Sequence, residues 1–145
     1  MVYTSKVELP LKEGENYCFL AGSIDINSEG NWRAKVVNEM KDLWRFFNPT
    51  RLEHDTFSDS QMNTHIEWEL DALELSDKIL LNLLPNAKSP ISLVELGLYV
   101  KTSKLIVVCP DQFYQKRYVN AICKKYNTPC FNDLDKAIKH LKKDN

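Results

Sequence analysis

Three short, almost unbroken apolar runs constrain this chain more than any other feature: Tyr17 to Ala21, Lys78 to Leu84 (KILLNLL) and Leu105 to Cys109. Apolar runs of this length without polar alternation suit strands buried on both faces, which is the habit of parallel sheets. Helical patterns fill the intervals. Trp32, Val36, Met40 and Leu43 recur at helical spacing and predict an amphipathic helix from about Asn31 to Leu43. Ile66, Leu70 and Leu73 mark a second helix, and a third starts near Ser92. Further helices are expected from about Tyr114 to Tyr126 and from Leu134 to Lys142, with weaker strands at Arg45 to Asn48 and Cys130-Phe131. Strands alternating with helices predict an α/β fold: a parallel sheet with helices on both faces.

Five strands in a chain of 145 residues fit one domain over residues 1–145, a flavodoxin-like three-layer sandwich with strand order 2-1-3-4-5. Residues 1–15 read as a lead-in segment without an apolar signal core, which points to a cytoplasmic protein. Nineteen basic against twenty acidic residues leave a formal charge of -1, which argues against a binder of nucleic acid polymers. No uncharged apolar run approaches the roughly 18 residues of a membrane span. The cysteines at 18, 109, 123 and 130 form no CxxC pair, and the histidines at 54, 65 and 140 lack zinc spacing. Reduced structural thiols and no bound metal are the expectation.

Open parallel sheets bind ligands beyond the carboxyl ends of their strands, where the strand order reverses. Here that directs attention to the loops after Ala21 and after Leu84. In the first, Gly22 permits a close turn, and Ser23 offers a hydroxyl and an N–H to a ligand, with Asp25 close behind. An ordinary strand-to-helix turn is the bland alternative. In the second, Ser92, Glu95 and Tyr99 share one side of the third helix. Glu95 is expected in that helix's first turn, where the dipole favours an ionised carboxylate. Such a group can serve as a nucleophile or simply compensate the dipole. On the second helix Glu69 borders the apolar stripe of Ile66, Leu70 and Leu73, while Asp71 and Trp68 face away. An outward Trp68 suggests a subunit contact or a covering loop.

Several segments in fixed order carry a resemblance: FLAGSID (19–25), NWR (31–33), NPTR (48–51), HIEWELDALELSDKIL (65–80), SPISLVELGLYV (89–100) and VVCPDQF (107–113). Together they resemble the nucleoside 2-deoxyribosyltransferase-like superfamily over roughly residues 17 to 120, in the branch with Trp-Glu on the second helix and a Ser-Pro-Ile loop before Glu-Leu-Gly. The resemblance implies cleavage of a nucleoside or nucleotide N-glycosidic bond, with the sugar passed to another base or to water. It implies Glu95 as the nucleophile and Glu69 as the second acidic residue, where relatives usually carry Asp. It places Gly22, Ser23 and Asp25 at the substrate pocket, and Asn120 as a residue reaching a neighbouring subunit's sugar. It therefore implies a homo-oligomer, at least a dimer, acting on a nucleoside or nucleotide with no cofactor. The tyrosine that touches the nucleophile in relatives is replaced, by register, with Cys18, which leaves Tyr99 or a loop residue to orient Glu95. The loop before Glu95 lacks the glycine-rich character of monophosphate-specific relatives. A binding or sensing module holding a nucleotide-derived ligand without turnover is the alternative.

Overall fold

The computed structural model describes residues 1–14, 16–23, 31–50 and 56–143. Asp25 lies outside the described residues. The elements in chain order are β1 (Val2–Tyr3), β2 (Tyr17–Gly22), α1 (Trp32–Met40), β3 (Arg45–Phe47), α2 (Asp59–Leu75) and β4 (Lys78–Asn82). They continue with α3 (Pro90–Tyr99), β5 (Leu105–Val108), α4 (Lys116–Lys125), β6 (Cys130–Phe131) and α5 (Leu134–Lys143). All strand pairs are parallel, in the order β1-β3-β2-β4-β5-β6.

The five strands expected from the apolar runs are present in the flavodoxin-like order, and the sheet has a sixth. Part of the lead-in pairs beside β3, with Val2 opposite Phe46 and Tyr3 opposite Phe47. Two residues carry too little pattern to announce a strand. Tyr3 gains its place through ring contacts with Tyr17 and Phe47 at 6.5 and 5.6 Å.

Alternation along the strands divides the core into two layers. Phe19, Ala21, Ile79, Leu81 and Val107 face α2, α3 and α4, joining Trp68, Leu73, Leu96 and Val119. Cys18, Leu20, Leu80, Ile106 and Val108 face α1 and α5, joining Trp32, Val36, Met40, Ile138 and Leu141. The four cysteines are free thiols. Among the described residues no helix is long and apolar enough to cross a membrane.

Two expectations about α2 are corrected. Trp68 is buried, with ring contacts to Phe19 at 6.5 Å and Phe47 at 6.1 Å, while Ile66 and Leu70 are exposed. His65, Trp68, Ala72 and Leu73 form an equally good helical stripe. The indole covers the aromatic faces of β2 and β3, a larger single apolar surface than either Ile66 or Leu70 offers. Trp68 therefore offers no surface for a subunit contact. The helix is anchored by a capping box in which Ser58 and Gln61 bond each other's backbone N–H groups.

Candidate active site

Gly22 ends β2 with φ 129°, and a Cβ there would lie 2.1 Å from the Asn82 carbonyl oxygen. Only glycine lets β2 and β4 remain paired to this point, where the chain turns out of the sheet. The next residue ties the two switch-point loops together. Ser23 donates its N–H to the Asn82 carbonyl at 3.0 Å, and its hydroxyl accepts the Leu84 N–H at 2.9 Å and bonds the Ser89 hydroxyl. The groups expected to greet a ligand are thus engaged within the protein, so Ser23 shapes the pocket by holding its walls. Ser23→Ala would strand a buried Leu84 N–H, a loss of about 2 kcal/mol. Urea unfolding should record that loss, and an unchanged midpoint would show the staple to be dispensable.

Gly22, Ser23, Ser89, Pro90 and Ser92 line a cavity of about 380 Å³. Proline at the start of α3 suits a turn whose first N–H groups have no helical partner. Because α3 begins at Pro90, Glu95 is not in its first turn, and the dipole does not hold it ionised. Burial acts the other way. Glu95 is 8% exposed, and burial, with some repulsion from Glu69, pushes its carboxyl up to about 7 against the pull of Arg33. Among the described residues this carboxyl has no hydrogen-bond or ion-pair partner.

Glu69 is the second carboxyl of the site, and burial raises it to about 7 while Arg33 pulls it down. Its Oε1 lies 2.8 Å from Nε2 of His65, one helical turn earlier, and Nδ1 of that ring lies 2.7 Å from the Ser5 hydroxyl. The N-terminal segment and α2 thereby fix Oε1 of Glu69 through the His65 ring.

Arg33 joins the two carboxyls electrostatically. It is 5% exposed and donates from Nε to the Leu20 carbonyl at 3.0 Å, from Nη1 to Ser23 at 3.3 Å and from Nη2 to Gly22 at 3.2 Å. Its guanidinium lies 4.3 Å from the centre of the Trp32 ring. Burial lowers its pKa to about 10, with Glu95 and Glu69 opposing, so it remains a cation at neutral pH. Arg33 caps the carbonyl end of β2 and places one fixed positive charge near two carboxyls.

Of the residues expected at the site, the structure groups Gly22, Ser23 and Ser92 around the cavity, with Glu95 one turn beyond Ser92 and Glu69 coupled to it by charge. Two others stand apart. The Tyr99 hydroxyl donates to Glu74 at 2.5 Å, so it is not free to orient Glu95. Asn120 is exposed on α4, where its Oδ1 accepts from the Cys130 thiol at 3.7 Å, beside Asp111 and Lys116. Cys18 faces the α1/α5 layer, across the sheet from α3. Arg33 and His65 did not emerge from the sequence as site residues. The only sequence signal for His65 is its four-residue spacing from Glu69, and Arg33 is bonded mainly to backbone, which leaves no side-chain pattern. Among the described residues no group of three or more His, Cys, Asp or Glu could hold a metal ion.

No curated protein sequence matches the chain significantly. A family model described as nucleoside 2-deoxyribosyltransferase like matches residues 16–113, a span that holds Gly22, Ser23, Arg33, Glu69 and Glu95. This parallel α/β chain, with the buried Glu95 and the half-buried Glu69 linked by charge, belongs to the nucleoside 2-deoxyribosyltransferase-like family.

Proposed function

We propose that the protein transfers the 2-deoxyribosyl or ribosyl group of a nucleoside to a second base or to water through a glycosyl ester on Glu95. The observation that carries this reading is the partnerless, buried carboxyl of Glu95 beside Glu69 and Arg33. Burial-shifted carboxyls that feel each other's charge, one turn of helix from a cavity, mark candidate acid–base pairs.

In the first step a carboxylate oxygen of Glu95 attacks C1′, and the C1′–N bond breaks with its electron pair passing to the base. Glu69 gives that base its proton. In the second step an acceptor base or water attacks C1′, the ester bond breaks back to the Glu95 carboxylate, and Glu69 takes up the incoming group's proton. Two displacements retain the anomeric configuration, as in retaining glycosidases. Positive charge gathers on the sugar in each transition state, and the carboxylate stabilises it. Glu69 has one methylene more than the Asp usual at this position, and its bond to His65 fixes where the longer arm places its proton.

Incubation with a panel of deoxy- and ribonucleosides and their 5′-monophosphates, with and without a free acceptor base, tests the reading by chromatography. Base exchange or base release supports it, and the acceptor dependence separates transfer from hydrolysis. No change in any substrate after prolonged incubation would overturn it.

The reaction needs Glu95 ionised and Glu69 protonated at the same moment. Both groups lie near 7, so the pair should titrate in two linked steps on either side of that value. The profile of kcat/KM should be a bell with its maximum near pH 7, falling in acid as Glu95 gains a proton and in alkali as Glu69 loses one. Glu69→Gln can neither give nor take up that proton, so it should slow both half-reactions and remove the alkaline limb from the activity that remains. A flat profile from pH 5 to 9 would refute the pairing.

The same reading makes the protein a homo-oligomer, at least a dimer. Ile66 and Leu70 on α2, with Ile91, Val94 and Leu98 on α3, are 43–64% exposed and give adjoining helices apolar outer faces. Asn120 would complete a neighbour's site. Light scattering at micromolar concentration should give a multiple of 16.9 kDa, and the monomer mass would remove this part of the proposal.

A further inference from the structure

A cleft of about 470 Å³ opens on the α1/α5 side of the sheet, over the carboxyl ends of β4 and β5. Trp32, Asn82, Leu84, Val108, Pro110 and Asn132 contribute to its walls. Its volume falls within the range of small-molecule sites. Glu95 belongs to α3, in the layer on the other side of the sheet.

Asn82 is the unusual member. Leu80 before it and Leu84 after it pack into the α1/α5 layer, so strand alternation sends the Asn82 side chain toward the same side. The residue is 4% exposed, and its carbonyl is occupied by the Ser23 N–H. Among the described residues its carboxamide has no hydrogen-bond partner. A carboxamide that borders a cavity and is not tied to the protein is available to a ligand there. The other two amides at the cleft have their oxygens engaged: Asn31 Oδ1 accepts the Ala34 N–H at 3.2 Å, and Asn132 Oδ1 accepts from Lys136 at 2.9 Å.

The surroundings restrict the ligand. A carboxamide presents a donor and an acceptor side by side in one plane, and it matches a planar partner with the complementary pair along one edge. Trp32 supplies a rigid aromatic wall, since its Nε1 donates to the Ser23 carbonyl at 3.3 Å and Arg33 lies over its ring. Leu84, Val108 and Pro110 supply apolar surface. The charges at the rim cancel: Lys35 is paired with Asp135 at 2.6 Å, and Asp133 lies 3.8 Å from Lys136. A neutral ligand fits this rim better than an ion.

We propose that this cleft is a second ligand site, separate from the carboxyl pair, for a neutral planar heterocycle with adjacent donor and acceptor atoms, the class to which free nucleobases belong. Asn82 reads the polar edge of the ring, and Trp32 with the apolar side chains packs against its faces. Binding there needs neither Glu95 nor turnover, so it stands or falls apart from the transfer reaction.

Adenine and uracil titrated separately into ¹⁵N-labelled protein test the proposal. For at least one base, saturable shifts are expected at the Asn82 side-chain amide, the Trp32 indole N–H and the backbone around Asn132. Glu95→Gln should bind that base as the parent does, while Asn82→Leu should lose affinity at least tenfold with an unchanged circular dichroism spectrum. If Asn82→Leu does not fold, the shift map of the parent protein decides alone. Shifts confined to Ser92, Glu95 and Glu69, undiminished binding by folded Asn82→Leu, or no saturation with either base at millimolar concentration would each overturn it.

Discussion

Glu95→Gln should fold, bind nucleoside and lose turnover by about three to four orders of magnitude, the scale seen when a nucleophile is removed and positioning remains. Glutamine keeps the length and shape of the side chain but cannot form the ester. Intact-mass spectrometry with a substrate whose glycosyl ester breaks down slowly should find one added sugar on the parent protein and none on the variant. Near-parental turnover by Glu95→Gln would end the nucleophile assignment and the transfer reading with it.

The same variant should reveal what the buried carboxyl does to stability. The folded pKa of Glu95, about 7, lies above the ordinary carboxyl value of 4.5. Between those values the folded protein holds a proton that the unfolded chain has released, so stability falls as pH rises through that window. Glu95→Gln removes the effect. It should match the parent near pH 4.5 and exceed it at pH 8, by on the order of 3 kcal/mol. Denaturant midpoints at the two pH values measure this, and a gap that does not grow with pH would contradict the shift.

Arg33→Met should produce the largest loss of stability, about 3–5 kcal/mol, on the scale of breaking a buried charge arrangement by removing one partner. Methionine fills much of the volume but leaves the carbonyls of Leu20, Gly22 and Ser23 without their guanidinium donors. For a domain of this size the melting temperature should fall by roughly 10 °C or more. Arg33→Lys retains the charge but cannot span three carbonyls, so it should fall between the two. Activity supplies a readout that packing alone would not move. Arg33 lowers both carboxyl pKa values, so its removal should shift the acid limb of the pH–rate profile upward. A stable Arg33→Met with an unmoved acid limb would show that the guanidinium neither supports the strand end nor tunes the pair.

The sheet order and the position of Glu95 beside its switch point were both legible in the chain itself, and for related reasons. Nearly unbroken apolar runs are best satisfied between two covering layers, so Tyr17–Ala21, Lys78–Leu84 and Leu105–Cys109 announce a parallel sheet without reference to any contact. Such a sheet has one place where its strand order reverses, and Glu95 follows β4 directly at that place. Its protonation was not legible. One shift in where α3 begins, from Ser92 to Pro90, takes Glu95 out of the first turn and leaves burial as the dominant influence.

What tertiary structure alone decided depends on partners distant in the chain. On α2 two helical stripes were available, and the aromatic rings of Phe19 and Phe47 selected the one containing Trp68. Ser23 is engaged by Asn82, Leu84 and Ser89, which turns an expected ligand contact into a clamp between loops. Arg33 reaches back to carbonyls at the end of β2, and its charge bears on carboxyls from two other helices. Periodicity reports the direction of a side chain relative to its own element. Burial, pairing and pKa depend on what the opposing element presents, and that is set only when the layers close.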